Sequence, residues 1–320
     1  MAGSCVFCLE SCDPGQEAFC QCKAIGHVEC LSKYMVGETR SRCPVCRVPL
    51  LASLMVKAYD HAHAESTRRL GTDHQHTKLH RLNRASAMAI DGRHEEALQE
   101  LEAMGTDGSM DRTQRTVCCI ETATVLAVLG RPAEAIRRLR TVLTDLHENP
   151  NSMTDFFLAQ SYLSLGHAYL ELEQYSDAKL FFHSGLNACG NVTVCPRQLP
   201  ISKLLQGLAI CYEKEGHFTS ALGVHRVRCK RVLADENDAV VLARAEIEWS
   251  QSELRCGKQT SNTADRLATI TRTLRRSQKA RDPRATDLLE RSLRCLDQMW
   301  PDYRSDAKRI RTKTHLEDLM

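Results

Sequence analysis

From residue 78 onward, apolar positions recur every three or four residues in blocks of a dozen or more, each block closed by a short polar turn. Four segments repeat one pattern: an apolar helix, a turn, then a second apolar helix. They read ASAMAIDGRHEEALQEL, ATVLAVLGRPAEAIRRL, GHAYLELEQYSDAKLFF and LAICYEKEGHFTSALGV. A small residue marks each second helix at Ala97, Ala135, Ala178 and Ala221, with separations of 38, 43 and 43 residues. A further step of 43 reaches Ala264, in a weaker copy. Ala85, Ala123, Gly166 and Ala209 mark the first helices. Antiparallel helices approach closely only where a small residue faces the partner. Gly92, Gly130 and Gly216 stand five residues before their alanines, where a left-handed residue ends a helix, and Glu173 holds that place in the third copy. A hairpin of this kind leaves an apolar side that its successor must cover, so the pattern predicts an α-solenoid.

Upstream, LASLMVKAYDHAHAESTRRL (51–70) has helical spacing and predicts one helix joining two parts of the chain. GTDHQHT (71–77) reads as a polar surface loop carrying His74 and His76. The expected divisions are therefore a head at 1–50, a connecting helix and loop at 51–77, repeats at 78–275, and a basic helical segment at 276–320.

The repeats resemble the tetratricopeptide family. Tyr162, Leu165, Gly166, Tyr169, Tyr175, Ala178, Phe182 and Leu186 of the third copy fall on family positions, and Met88, Leu126 and Tyr212 hold the first-helix aromatic position of the others. The period is similar to the 42-residue kinesin-light-chain variety. That resemblance implies a concave surface for a protein partner, with Gln160, Leu163, His167, Lys203, Gln206 and Ile210 on it. The Lys and Asn clamp of chaperone-binding members is missing: Leu82, Ile120, Leu163 and Gln206 stand at its Lys position, and Ser86, Thr124, His167 and Ile210 at its Asn position.

Composition adds the head. Eight of the sixteen cysteines lie in residues 1–46. The other eight are Cys118, Cys119, Cys189, Cys195, Cys211, Cys229, Cys256 and Cys295, scattered without metal spacing, and they read as small buried hydrophobes. The start, MAGSCVFCLE, lacks a basic region followed by an apolar stretch, and no run of eighteen apolar residues occurs. Neither a signal peptide nor a membrane span is expected, which makes reduced thiols in a soluble cytoplasmic or nuclear protein the expectation. Cys5/Cys8, Cys20/Cys22, His27/Cys30 and Cys43/Cys46 form four pairs. A pair can fix two corners of a tetrahedron, so eight ligands match two closed Zn²⁺ sites. A head of this size cannot bury enough apolar surface to fold alone, whereas a structural zinc supplies about 10–16 kcal/mol. Cys12 is left over as a loop thiol.

This arrangement resembles the RING superfamily in its C4HC3 form, RING-CH. In that family's cross-brace the first and third pairs share a metal. The resemblance thus implies Cys5, Cys8, His27 and Cys30 at one zinc and Cys20, Cys22, Cys43 and Cys46 at the other. The PHD finger, a histone-tail reader, shares the C4HC3 order. Ser41 stands where a PHD finger normally has Trp, Pro44 within Cys43-Pro44-Val45-Cys46 is typical of RING fingers, and Tyr34 occupies the place of the large aromatic on the RING surface. The RING resemblance implies an E3 ubiquitin-protein ligase with no covalent intermediate on this chain. Val6, Phe7, Tyr34 and Pro44 would form the groove for a ubiquitin-conjugating enzyme, and Arg47 the linchpin toward its ubiquitin thioester. The repeats would recruit the protein substrate; no small-molecule substrate is implied. RING-CH relatives are commonly anchored by membrane spans, which this chain lacks, so the resemblance stays with the head. A non-enzymatic zinc-finger scaffold and a PHD-like reader remain the alternatives.

Charge changes little. The net formal charge is +3, yet residues 266–320 carry 14 Lys+Arg against 8 Asp+Glu. Only Trp300 and Tyr303 stand among these cations, not the regular interleaving that single-strand stacking needs. The segment therefore reads as a solvated helix rather than a nucleic-acid face.

Overall fold

The computed structural model describes residues 4–12, 24–38, 43–45, 50–192, 199–235, 239–257, 261–279 and 283–299. Among these residues are thirteen helices and one isolated antiparallel bridge, Ser4 with Ser11. The chain divides into two compact units, Met1–Leu172 and Glu173–Met320.

The first unit contains α1 (Val28–Glu38), α2 (Ala52–Leu70), α3 (Gln75–Ile90), α4 (His94–Gly105), α5 (Arg112–Val128), α6 (Pro132–Glu148) and α7 (Thr154–Glu171). Each helix packs on the next, and the leading helices α3, α5 and α7 also meet in succession. The second unit contains α8 (Tyr175–Asn191), α9 (Ile201–Lys214), α10 (Phe218–Asp235), α11 (Ala239–Arg255), α12 (Ser261–Lys279) and α13 (Pro283–Met299), again packed in order. Within each unit the architecture is a stack of helix hairpins, as the repeat pattern predicts.

The small residues lie where close packing requires them. Ala97, Ala135, Ala178, Ala221 and Ala264 are buried, as are Ala85, Ala123, Gly166 and Ala209. The hairpin turns share one device. Gly92, Gly130 and Gly216 have φ of +84°, +73° and +79°. The following N–H, from Arg93, Arg131 or His217, donates back to the carbonyl of Met88, Leu126 or Tyr212 at 2.8–3.0 Å. These are Schellman closures, which satisfy carbonyls left without partners at a helix end. Glu173 takes the same left-handed conformation, with φ +58° and a Cβ to accommodate.

Three findings differ from the sequence expectation or extend it. The polar loop is shorter than 71–77, because α3 begins at Gln75: the His74 imidazole accepts the His76 N–H through Nδ1 (3.2 Å) and caps the helix. Helix α2 is no bare connector. It buries Leu54, Met55, Val56, Ala58 and Ala62, and packs on both α1 and α3. The start of the basic C-terminal segment is not simply solvated, because α13 buries Ala285, Leu288, Cys295 and Leu296 in a core with Ile247, Leu267 and Leu274. Residues 300–320 lie outside the described residues.

Five of the scattered cysteines are buried as expected, Cys119 and Cys256 are only partly buried, and Cys195 lies outside the described residues. Cys118, Cys189, Cys211, Cys229 and Cys295 are buried. Burial pushes the Cys118, Cys189 and Cys211 thiols up to about 11 and Cys229 to about 12, so none is a thiolate near neutrality.

Gly207 of α9 has a role that the repeat pattern alone does not announce. A Cβ there would overlap the ring of Phe182, which is fully buried beneath α9. Gly207→Ala is expected to lower unfolding stability by about 1–3 kcal/mol. Gly223→Ala, in α10 with nothing within 4 Å of the new methyl, should instead raise it by about 0.5–1 kcal/mol. Denaturant titration of the two variants beside the wild type checks both signs.

Candidate metal centre

The centre begins with a tight loop. The Cys5 N–H donates to the Glu10 carbonyl (2.8 Å) and the Leu9 N–H to the Cys5 carbonyl (2.9 Å), below the Ser4–Ser11 bridge. Leu9 closes the loop with φ +65°, a left-handed conformation that costs a branched residue about 1–2 kcal/mol. The Val6 N–H reaches the Ile25 carbonyl (3.1 Å), which ties this loop to the segment leading into α1. His27 immediately precedes α1, and its carbonyl accepts the Leu31 N–H at 2.9 Å. Cys30 follows within the first turn of that helix.

These elements bring four side chains together. The ligand atoms of Cys5, Cys8, His27 and Cys30 all lie within 4.8 Å of one another. His27 Nδ1 is 3.4 Å from Cys8 Sγ and 3.9 Å from Cys30 Sγ. A tetrahedral Zn²⁺ with bonds of about 2.0 Å to nitrogen and 2.3 Å to sulfur has N···S edges of about 3.5 Å. The cluster is therefore of the size a tetrahedral ion requires. On its other side, His27 Nε2 lies 3.3 Å from the Ser11 carbonyl. Donation from Nε2–H to that oxygen leaves Nδ1 as the lone pair facing the thiols, a common way of orienting a ligating imidazole.

Electrostatics give the same reading. Burial raises the Cys5 thiol, but the backbone N–H groups of Cys8, Phe7 and His27 outweigh it and hold the thiol at about 6. Cys30 is pushed up to about 12, first by burial and then by the neighbouring Cys8 and Cys5. Three thiols this close cannot all ionise by themselves. A bound cation removes the conflict, and the donor set, three sulfurs and one imidazole, suits zinc. The residues present thus fit a metal ion.

The remaining expected residues fall as follows. Phe7 and Tyr34 stack, with ring centroids 5.1 Å apart and planes tilted by 40°. Val6 and Pro44 are partly buried, and Val45 beside Pro44 is well exposed. Cys43 and Cys12 are both buried. Cys20, Cys22, Cys46 and Arg47 lie outside the described residues, and with them three of the four ligands expected at a second zinc.

On the repeats, Gln160 and His167 belong to α7 in the first unit, and Lys203 and Gln206 to α9 in the second. His167 and Lys203 are exposed. Gln206 donates to both carboxylate oxygens of Glu248 (3.0 and 3.2 Å), which also holds the buried Arg228. Its amide is engaged within the unit, a pairing between successive repeats that sequence reading missed. The signal was present, since Glu248 stands one repeat beyond Gln206. Among the described residues, no helix is long and apolar enough to cross a membrane.

No family model and no curated protein matches the chain. Solved structures do. The crystal structure of BtubC (BKLC) from P. vanneervenii is similar over 78% of this chain and 92% of that chain, at 14% identity and a TM-score of 0.52. A chain of nearly identical TPR-like repeats from Podosopora anserina, described as a kinesin light chain, covers 62% of this chain and 95% of its own, at 17% identity and a TM-score of 0.49. A tetratricopeptide repeat protein from Parabacteroides merdae covers 83% and 97%, at 14% identity and a TM-score of 0.44. At such identities the first of these similarities speaks for the fold alone: the helical repeats are TPR-like.

Zinc-loaded protein in which Cys30 is changed to Ser should carry one equivalent of zinc fewer per chain than the wild type. Ligation needs deprotonated sulfur, so acidification should release the ion from the wild type, and titrating the pH upward should restore it. Elemental analysis after gel filtration at each pH reads both effects. Retention of the full zinc content by Cys30→Ser would exclude this centre.

Proposed function

We propose that the chain is a RING-type E3 ubiquitin-protein ligase whose TPR-like repeats recruit the protein to be modified. One observation carries the reading: the first and third ligand pairs, Cys5/Cys8 and His27/Cys30, converge, although Cys20/Cys22 stands between them in the sequence. A cross-brace requires that alternation, and an ordinary finger built from consecutive pairs does not.

The chemistry asked of the chain is positional. A zinc ion at Cys5, Cys8, His27 and Cys30 would serve as a closed structural cross-link, with no open position for water. Phe7 projects from the cysteine loop and Tyr34 from the helix that carries Cys30, so the pair that stacks is supported by the same elements that would hold the ion. Such an apolar platform on a rigid support loses little entropy on docking a ubiquitin-conjugating enzyme. Arg47, after the last ligand, would donate to carbonyls of both that enzyme and its ubiquitin and favour the reactive arrangement of the thioester. The lysine nucleophile belongs to the recruited protein, and holding it nearby raises its effective concentration.

Thioester discharge from a panel of charged conjugating enzymes tests the reading. The zinc-loaded protein should accelerate discharge by at least one member. Phe7→Ala and Tyr34→Ala should each slow it by about ten-fold or more, the loss of roughly 1.4 kcal/mol of docking or orientation, at unchanged zinc content. Arg47→Ala should weaken discharge and Cys43→Ser abolish it. Acceleration by no member of the panel would leave a zinc-bearing TPR-like scaffold. Capture of an unmodified histone-tail peptide by that inactive protein would instead favour the PHD-type reading.

A further inference from the structure

A cleft of about 610 Å³ lies in the first unit, walled by α1, α2 and the start of α3. Its volume is within the range of ligand-binding clefts, about 300–1,000 Å³. It is separate from the metal centre, although α1 serves both: Cys30 and Tyr34 belong to the centre, whereas Glu29, Ser32 and Lys33 line the cleft.

The walls are largely carbon. Ala62 and Leu70 contribute to them, and Lys33, Arg68 and Arg69, whose long stems are themselves apolar, complete the lining. Leu70 is 48% exposed at the end of α2, a large apolar side chain left on the edge of the cleft. At the rim, three permanent cations, Lys33, Arg68 and Arg69, face two carboxylates, Glu29 and Glu65. Glu65 is shared by Arg68 and Arg69, so its single charge leaves that group positive.

The buried His80 adds a directional element. Its Nδ1 lies 3.1 Å from both the Ala62 carbonyl and Ser66 Oγ, and Ser66 spends its own hydroxyl proton on the His63 carbonyl. His80 must therefore donate from Nδ1, which leaves Nε2 as the ring's acceptor. Burial lowers the pKa of this imidazole and keeps it neutral near pH 7. A largely apolar lining, a surplus of positive charge and a neutral imidazole among the lining residues together define the occupant.

We infer that this cleft binds a peptide segment in which apolar or tyrosyl side chains alternate with acidic ones. The apolar groups would lie against Ala62 and Leu70, the carboxylates against Lys33 and Arg69, and a hydroxyl or amide N–H would donate to His80. A peptide held there rests against the helix that supplies Cys30. The inference does not depend on the ligase reading, because it is measured without any ubiquitin reagent.

The test is fluorescence polarisation of a fluorescein-labelled peptide of Leu-Glu and Tyr-Asp pairs, titrated with the full zinc-loaded chain. Binding is expected to weaken as salt is raised, and the same peptide with Lys in place of its acidic residues should bind at least about ten-fold more weakly. Lys33→Glu combined with Arg69→Glu should cost about ten-fold for the acidic peptide at unchanged zinc content. A Leu70→Trp variant should show a blue shift of its emission when the acidic peptide is added. Equal binding of the acidic and basic peptides would overturn the inference. So would undiminished binding by the double variant, or a Leu70→Trp emission that stays put while polarisation rises.

Discussion

Three thiols and an imidazole whose ligand atoms lie within 4.8 Å of one another cannot all give up their protons unless a cation lies among them. The described residues around Cys5 and Cys30 show how the chain meets this constraint. The Cys5 loop is closed by its own backbone hydrogen bonds and by a left-handed Leu9. The backbone N–H groups of Cys8, Phe7 and His27 favour the charged form of the Cys5 sulfur, while Cys30, buried and approached by two other sulfurs, is driven the other way. A site that prepares one thiolate and penalises the next is unbalanced as a set of protons and balanced as a set of metal ligands. A head too short to bury a core of its own would gain order from an ion bound there.

The repeats obey a different constraint, steric rather than electrostatic. Two helices come close only where a side chain is nearly absent, and a turn of two or three residues between them needs a left-handed position. The buried Ala85 and Ala97, Ala123 and Ala135, and Ala209 and Ala221 satisfy the first need, and Gly92, Gly130 and Gly216 the second. Glu173 shows how the two needs rank. It adopts φ +58° without being glycine, so the turn geometry is imposed by the array and the residue accepts the strain.

These two constraints were legible in the sequence because both are written at fixed spacing. Ligand pairs two or three residues apart, and small residues 38 or 43 apart, can be read without knowing what touches what. What escaped depends on distant partners. Nothing local announces that His74 caps α3 through its own ring, that Gly207 exists to admit Phe182, or that Gln206 is occupied by Glu248. The packing of α2 was hidden for a related reason: an amphipathic helix between two domains and one that opens a stack share the same pattern, and only the presence of α1 and α3 on its faces distinguishes them. The alternation of ligand pairs stands between the two cases. Spacing supplies the pairs, but which pair meets which is a matter of the path of the chain between them.

Helix α1 is where the two parts of the first unit become one object. Residues four apart on a helix share a face, so Cys30 and Tyr34 point to one side, while Glu29, Ser32 and Lys33 form a second stripe. The first stripe is held by the metal centre and by Phe7; the second forms a wall of the cleft against α2, which in turn is packed on α3. A rigid element clamped at both faces cannot rotate to suit one without disturbing the other. An ion held at Cys30 would therefore fix the position of Lys33 together with that of Tyr34, and would tie the shape of the cleft to the candidate metal centre.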